Sequence, residues 1–294
     1  MLLTAASIDR ILTRTSGFLG TVSSHSLQPY RGCALGNSLC GVGCYVQHNW
    51  HLTRGERWGS FIEARTNAAD SYRRQYAAEK AWARRNRGLF GIFLSSSTEP
   101  FQPLERTARI TRQVLEAMLD APPDFLILQS HSHHLADYAD LYRDLAGLCD
   151  LRLHLSIESD RDELPGLPRS ASPVAKRMQA AQKLREAGLR VVITVSPLLP
   201  IESPEKFFAD LAKVADAVVI DHFIGGDGSA AGSRTRSTPL AGAMAAIDPE
   251  SVTLAYRDRM IEIARRHFPG RTGVNIDGFA GRMSATGAVG PKPE

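Results

Sequence analysis

The sequence predicts an α/β protein built on a parallel sheet. Two observations carry this reading. Short, almost wholly apolar runs recur at roughly 30-residue intervals, and amphipathic stretches of helical period lie between them. Strand, helix, strand in that rhythm gives right-handed βαβ units, and strands apolar on both faces belong to a sheet covered on both sides. Periodicity alone leaves the sheet open or partly closed into a barrel.

In chain order, residues 1–20 read as a lead-in, a short helix or irregular, with Ile8, Ile11 and Leu12 as its apolar positions. Residues 21–27 read as a first strand and 60–65 as another, followed by a helix over 68–86 that Gly88 closes. The regular series then runs through strands at 89–94, 125–128, 151–157, 190–195 and 217–220. Its helices lie at 104–120, 135–148, 172–187, from Ser203-Pro204 onward, and from Asp248-Pro249 to about His267. Ser172 and Pro173 read as an N-cap and a first-turn proline. A short strand over 273–276 ends the series. No linker interrupts it, so the expected organisation is a lead-in over 1–20, one domain over 21–280 and a tail over 281–294.

The chain has 294 residues, 43% hydrophobic content and a formal charge of +4. No apolar run reaches the roughly 18 residues of a membrane span, and the start lacks a secretory pattern. The expectation is a cytoplasmic protein without a membrane partner, whose thiols stay reduced. Residues 51–88 hold nine Lys or Arg against four acids, with Trp50, Trp58, Tyr72, Tyr76 and Trp82 interleaved. That composition suits phosphates and bases, and equally a solvated helix face with aromatics packed beneath it.

Active groups of parallel α/β folds sit at the carboxyl ends of strands. The rule selects Ser95, Ser96, Ser97, Thr98 and Glu99; then Gln129 and Ser130 to His134; then Ser156, Glu158, Ser159 and Asp160; then Ser196; then Asp221 and His222. His131, His133 and His134 read as polar loop residues. One of them near the site could handle a proton or substrate. Gly225 to Gly228 reads as a flexible loop that could gate the site, and a weak phosphate cradle.

The strongest local signal is Cys33, Cys40 and Cys44, with Gly36, Gly41 and Gly43 among them. Three thiols on a glycine-rich loop suit a metal or iron–sulfur centre. A zinc site would take a fourth ligand from His25, His48 or His51. Cys149 ends an apolar helical pattern and reads as a small core residue.

Gln28-Pro-Tyr-Arg-Gly-Cys33, two further cysteines and Tyr45 resemble the opening of radical S-adenosylmethionine proteins of the spore photoproduct lyase-like group. Ser96-Ser-Thr-Glu-Pro-Phe-Gln-Pro103, Ile62 to Ala68, Pro173 to Gly188 and Val195 to Pro200 extend the resemblance over about 26–200. The cysteine spacing departs from it, with six and three residues between sulfurs where three and two are usual. The resemblance implies a partial (β/α)6 TIM-type barrel with the cluster loop at the carboxyl rim of its strands. It implies that Cys33, Cys40 and Cys44 ligate a [4Fe-4S] cluster and that S-adenosylmethionine chelates the fourth iron. Reductive cleavage would then give a 5′-deoxyadenosyl radical that abstracts hydrogen. Tyr45 would lie along the adenine, Ser97, Thr98 and Glu99 near the methionyl amine, Ser156 and Glu158 near the ribose, and Arg177 near the carboxylate. An external one-electron reductant of flavodoxin or ferredoxin type is implied, with DNA or a small molecule as substrate. The alternative is a non-catalytic zinc or iron–sulfur protein with a nucleic-acid-binding face.

Overall fold

A computed structural model describes residues 1–283; from 284 onward the expected tail lies outside the described residues. The strands are β1 Leu2–Ala6, β2 Leu12–Arg14, β3 His25–Leu27, β4 Tyr30–Gly32, β5 Phe61–Arg65, β6 Gly91–Leu94, β7 Phe125–Ser130, β8 Asp150–Ser156, β9 Val191–Val195, β10 Ala217–Ile220 and β11 Thr272–Val274. Eight form one sheet in the order β11-β10-β9-β8-β7-β6-β3-β2. From β3 to β11 every pairing is parallel, and β2 adds an antiparallel edge. Among the described residues no pairing joins β2 to β11. The sheet therefore fits a partial TIM-type barrel that stays open.

The remaining strands make a smaller sheet, β1-β5-β4. This corrects the reading of residues 1–20 as helix or irregular lead-in at Leu2–Ala6 and Leu12–Arg14, which are strands, whereas Gly17–Gly20 is a short helical turn. β1 pairs in parallel with β5, and β2 lies against β3. β1 is largely exposed, so it lacks the buried apolar pattern from which strands were read. Its place is fixed by a pairing partner some sixty residues away.

The two faces of the main sheet differ. Leu27, Ile92, Leu94, Leu126, Leu128, Leu153, Leu155, Ile193 and Ile220 pack outward in the large core with the helices. Phe93, Ile127, Val192, Ala217 and Val219 point the other way and pack with Val22 and Phe279. Side chains alternate along a strand, so the inward rows continue to Ser95, Gln129, Ser156, Thr194 and Asp221 at the carboxyl ends. The barrel interior is apolar below, apart from buried His154 beside Phe93 and Phe279, and polar above.

Several helices are shorter or more broken than the periodicity suggests. The 104–120 stretch splits at Arg109, which takes a left-handed conformation between Glu105–Ala108 and Ile110–Asp120. Buried Glu105 spans the break. Its carboxylate accepts from the amides of Thr111 and Arg112, each at 3.0 Å, and from the hydroxyls of Tyr30 and Tyr138. The 135–148 stretch begins as a 3-10 turn, His133–Tyr138, before the helix Ala139–Ala146. Pro173 rather than Ser172 occupies the N-cap of Val174–Glu186, because the Ser172 hydroxyl instead accepts from the amide of His133 at 3.0 Å. Pro249–Val252 is a separate 3-10 turn, and Thr253 caps Leu254–His267. After β11 the chain turns into the helix Asn275–Phe279 where a longer strand was expected. That turn delivers Phe279 to the barrel interior.

Candidate functional site

A cavity of about 380 Å³ opens over the carboxyl ends of β6, β7, β9 and β10. Cys33, Cys40, Cys44, Tyr45 and Trp58 line one wall. Ser95 to Glu99, with Gln129 and His131, line the next; Ser196, Asp221, Asp227 and Arg234 line the third. Phe18, Phe93 and Phe279 also face it and touch one another edge-on or tilted, with Phe18 and Phe93 each about 6 Å from Phe279.

The cysteine wall is an arch thrown between neighbouring strands of the small sheet. Cys33 follows β4 directly, and the chain returns at β5, the antiparallel partner of β4. A 3-10 turn, Ala34–Asn37, and a single helical turn, Leu39–Val42, carry the sulfurs inward. The Ala34 amide donates to the Gln102 side chain at 3.0 Å, which ties the arch to the barrel. The folded-back arch has no room for a side chain at Gly41, where a Cβ would sit 2.2 Å from the Gly36 carbonyl oxygen. The expected result for Gly41→Ala is therefore a displaced arch with thiols more exposed to a maleimide reagent. Thiol-labelling rates measured against wild type check it.

Burial pushes the Cys33 thiol well above its usual range, and the neighbouring Cys40 adds to this. Burial and Cys40 likewise push Cys44 up to about 12, opposed by the backbone amides of Val46 and Gln47 and, less, by the Trp58 side chain. Among the described residues no group of three or more His, Cys, Asp or Glu is arranged to hold a metal ion. His25, a candidate zinc ligand, is fully buried between the Ser24 hydroxyl at 2.9 Å and Glu79 at 3.0 Å. His48 and His51 are not on the cavity wall. The three thiols line the same cavity, and Cys40 lies near enough to Cys33 and Cys44 to push both up.

Glu99 is buried at the end of the β6 loop and accepts three donors: the Ser130 hydroxyl at 2.7 Å, the His131 amide at 2.8 Å and the Phe101 amide at 2.9 Å. Burial raises its carboxyl above the ordinary range. A carboxylate has about four acceptor positions, so one remains. Thr98 donates toward Gln28 and the Tyr30 carbonyl, both at 3.3 Å. Tyr45 reaches across the mouth, its hydroxyl donating to the Ser96 carbonyl at 2.7 Å.

Glu158 and Arg177 lie elsewhere. They line a smaller cavity of about 30 Å³ that shares Cys40 and His131 with the larger one. Arg177 Nη1 donates to Glu158 and to the Ser156 carbonyl, each at 2.6 Å, and His131 Nδ1 meets the other Glu158 oxygen at 2.7 Å. Burial opposes the Glu158 charge, but Arg177 and His131 hold its carboxyl well below the usual range. The Arg177 Nε remains buried without a partner. Ser156 lines neither cavity. It is fully buried, sharing hydrogen bonds with Gln129 Nε2 at 2.8 Å and Thr194 at 2.9 Å.

The structure thus brings Cys33, Cys40, Cys44, Tyr45, Ser97, Thr98 and Glu99 together on one cavity, sets Glu158 and Arg177 beside it, and sinks Ser156 beneath it. Of the three clustered histidines only His131 lines the large cavity; His133 bonds Ser172 and His134 bonds Asp137. His222 caps its own loop, accepting from the Ile224 amide at 3.1 Å and donating to the Ser251 carbonyl at 2.9 Å. Phe18, Phe279 and Arg234 were not singled out from the sequence. The Arg- and Gly-rich make-up of 225–239 was the one signal for Arg234, whose guanidinium donates to the Asp227 carbonyl at 3.1 Å. In the 51–88 segment Tyr72, Tyr76 and Trp82 pack beneath the helix Ala68–Arg87, and Arg84 pairs with Asp124 at 2.8 Å.

Asp221 is a buried carboxyl on the third wall. Burial raises it from 3.8 to about 6, against the Ser196 hydroxyl that donates to it at 3.0 Å and the pull of Arg257; Asp227 adds to the rise. A carboxyl raised on folding stabilises the protein below its unfolded value, and that contribution is lost as the pH rises through the folded value. Asp221→Asn is therefore expected to match wild type near pH 4 and to exceed it by about 2–3 kcal/mol at pH 8. Urea unfolding across that range, with the two curves parting between pH 4 and 6, is the check.

No family model matches the chain. An uncharacterised protein of Methanocaldococcus jannaschii is 22% identical over 179 residues, which is 60% of this chain and 61% of that relative's length. Solved structures of spore photoproduct lyase superimpose on nearly the whole chain. A variant with bound AdoMet and dinucleoside spore photoproduct gives a TM-score of 0.63 at 15% identity, covering 93% of this chain and 81% of the other. A cysteine-to-serine variant gives 0.61 at 16% identity with the same coverage. The resemblance read in the sequence holds at the level of architecture: this chain has the fold of spore photoproduct lyase.

Proposed function

We propose that the chain is a radical S-adenosylmethionine enzyme with a photoproduct lyase-like reaction on a nucleic-acid substrate. The observation that carries the reading is the convergence of Cys33, Cys40 and Cys44 on one cavity with Tyr45 and the Ser97-Thr98-Glu99 strand end. The number and kind of donors fit a [4Fe-4S] cluster: three thiols on one glycine-rich arch line one cavity, which would leave one iron for S-adenosylmethionine. When bound, the cluster and S-adenosylmethionine supply one-electron cleavage of the sulfonium and so a hydrogen-abstracting radical.

The chain's own residues bind and orient. Cys33, Cys40 and Cys44 hold three irons. The free acceptor position of Glu99 takes the methionyl amine, with Ser97 and Thr98 beside it. The free Nε of Arg177 suits the carboxylate, fixed in place by Glu158. Tyr45 flanks the adenine. Glu158 approaches the ribose from behind His131, and Ser156 acts through Gln129 rather than by direct contact. The Phe18, Phe93 and Phe279 group keeps water from the reacting face. An external flavodoxin- or ferredoxin-type protein delivers the electron. The spore photoproduct bound to the solved relative supports a DNA lesion as substrate.

Anaerobic reconstitution tests the reading. About four irons and four sulfides per chain are expected, with 5′-deoxyadenosine released on reduction. Zinc bound in their place, or a reduced cluster that leaves S-adenosylmethionine intact, overturns it. Ultraviolet-irradiated DNA, assayed for repair and binding, tests the substrate; neither above background removes the lyase assignment.

A further inference from the structure

The small sheet ends at β1, and among the described residues no strand pairs with the outer edge of β1. The strand at the other end, β4, is buried along its length, whereas β1 is exposed at its first four residues. Leu2 and Leu3 are 55% and 57% exposed and point to opposite faces of the strand. The usual guards of a free edge are missing. No charged side chain and no proline occurs from Met1 to Ile8, and β1 runs against β5 from Leu2 to Ala6 without a bulge.

The backbone shows what this edge offers. The Leu2 amide donates to the Ser60 carbonyl at 2.7 Å, and the Ala6 carbonyl accepts from the Thr66 amide at 3.0 Å. Leu2 and Ala6 thus turn their peptide groups toward β5, and by alternation so does Thr4. Leu3 and Ala5 turn theirs outward.

We propose that this edge pairs with the same edge of a second copy of the chain, antiparallel about a two-fold axis through Thr4. The strand Leu-Leu-Thr-Ala-Ala is its own complement in that register. Leu2 meets the partner's Ala6, Leu3 meets the partner's Ala5 and Thr4 meets the partner's Thr4. Each large side chain then lies opposite a small one, and all five residues are paired. The outward amides and carbonyls of Leu3 and Ala5 form the hydrogen bonds across the axis. Thr4 falls at the closer, non-hydrogen-bonded position, where a threonine pair is favourable. A peptide from another protein would have to supply this complement, whereas the chain itself carries it. A five-residue pair is smaller than a standard interface, so the association is weak and concentration-dependent. It merges two three-stranded sheets into one of six, with the two β4 strands about 24 Å apart. Two cysteine arches, each leaving its own β4, are thereby carried on one sheet. The pairing uses neither the cavity nor a cofactor, so it stands apart from the enzyme reading.

Sedimentation velocity of the full chain from about 1 to about 200 μM tests the pairing. Wild type is expected to pass from monomer toward dimer over that range. Ala5→Pro removes an outward amide and spares the pairing with β5. Two hydrogen bonds are lost across the axis, so the dimer dissociation constant is expected to rise about ten-fold or more. Leu3→Lys is expected to weaken the dimer as well. Leu3→Lys combined with Ala5→Glu is expected to restore it, because each introduced lysine then faces the partner's introduced glutamate. Circular dichroism confirms that the variants fold. A wild-type chain that stays monomeric throughout overturns the proposal and leaves the edge to a different partner. A dimer that both single variants leave intact also overturns it, by placing the interface elsewhere. A double variant as weak as Leu3→Lys alone overturns the register.

Discussion

Cys40→Ala is expected to abolish both iron–sulfide incorporation and cleavage of S-adenosylmethionine, with the barrel still folded. The reason is position. Cys40 is the middle thiol of the arch and faces both cavities. Its removal leaves two thiols, too few for a cluster that needs at least three protein ligands. The arch is held by backbone contacts at both ends and not by the sulfur, so far-ultraviolet circular dichroism should not change. Iron and sulfide analysis, together with chromatography for 5′-deoxyadenosine, checks the prediction. A variant that kept four irons would assign the cluster to other ligands.

Arg177→Leu is expected to cost about 3–5 kcal/mol of stability. The Arg177 and Glu158 side chains are 3% and 9% exposed and lie 2.6 Å apart. Removing the cation leaves the buried Glu158 carboxylate with His131 as its remaining side-chain partner, and it also takes a donor from the Ser156 carbonyl. The double variant Arg177→Leu with Glu158→Leu is expected to recover most of the loss, because a buried pair replaced by apolar groups of similar size is often near neutral. Urea unfolding of the single and double variants gives the coupling. Equal losses in both would mean that Arg177 stabilises through packing alone.

The parts of this molecule legible in its sequence are those whose physics is local. β6, β9 and β10 announce themselves because both of their faces are buried and almost wholly apolar, β7 by its apolar run over 125–128, and β8 by the alternation of Leu151, Leu153 and Leu155 with polar residues. Their carboxyl ends are legible for the same reason: the first polar residue after such a run, as at Ser95, Gln129 or Asp221, has to face the rim. The convergence of the three thiols follows from their closeness in sequence and the glycines between them. What could not be read depends on distant partners. β1 is exposed and becomes a strand only through β5. Phe279 reaches the barrel interior by a turn after β11 that no periodicity signals. Glu158 and Arg177 were each assigned a ligand group, whereas the fold spends much of their capacity on each other and on His131. His25 offered itself as a metal ligand, yet it sits under the helix Ala68–Arg87 with Glu79.

The arch between β4 and β5 bears on its unusual cysteine spacing. Because antiparallel neighbours grip both of its ends, the arch is a span fixed at two piers. Its length can change without moving either support, and lengthening a closed loop by a few residues costs only a few tenths of a kcal/mol. The 3-10 turn Ala34–Asn37 lies within the longer first interval and takes up slack there. Thiol spacing along the chain is therefore a loose guide to the geometry the sulfurs reach. Changes at Gly32 and Phe61, where the piers stand, should be tolerated worst: a Cβ at Gly32 would lie 2.3 Å from the Phe61 carbonyl oxygen.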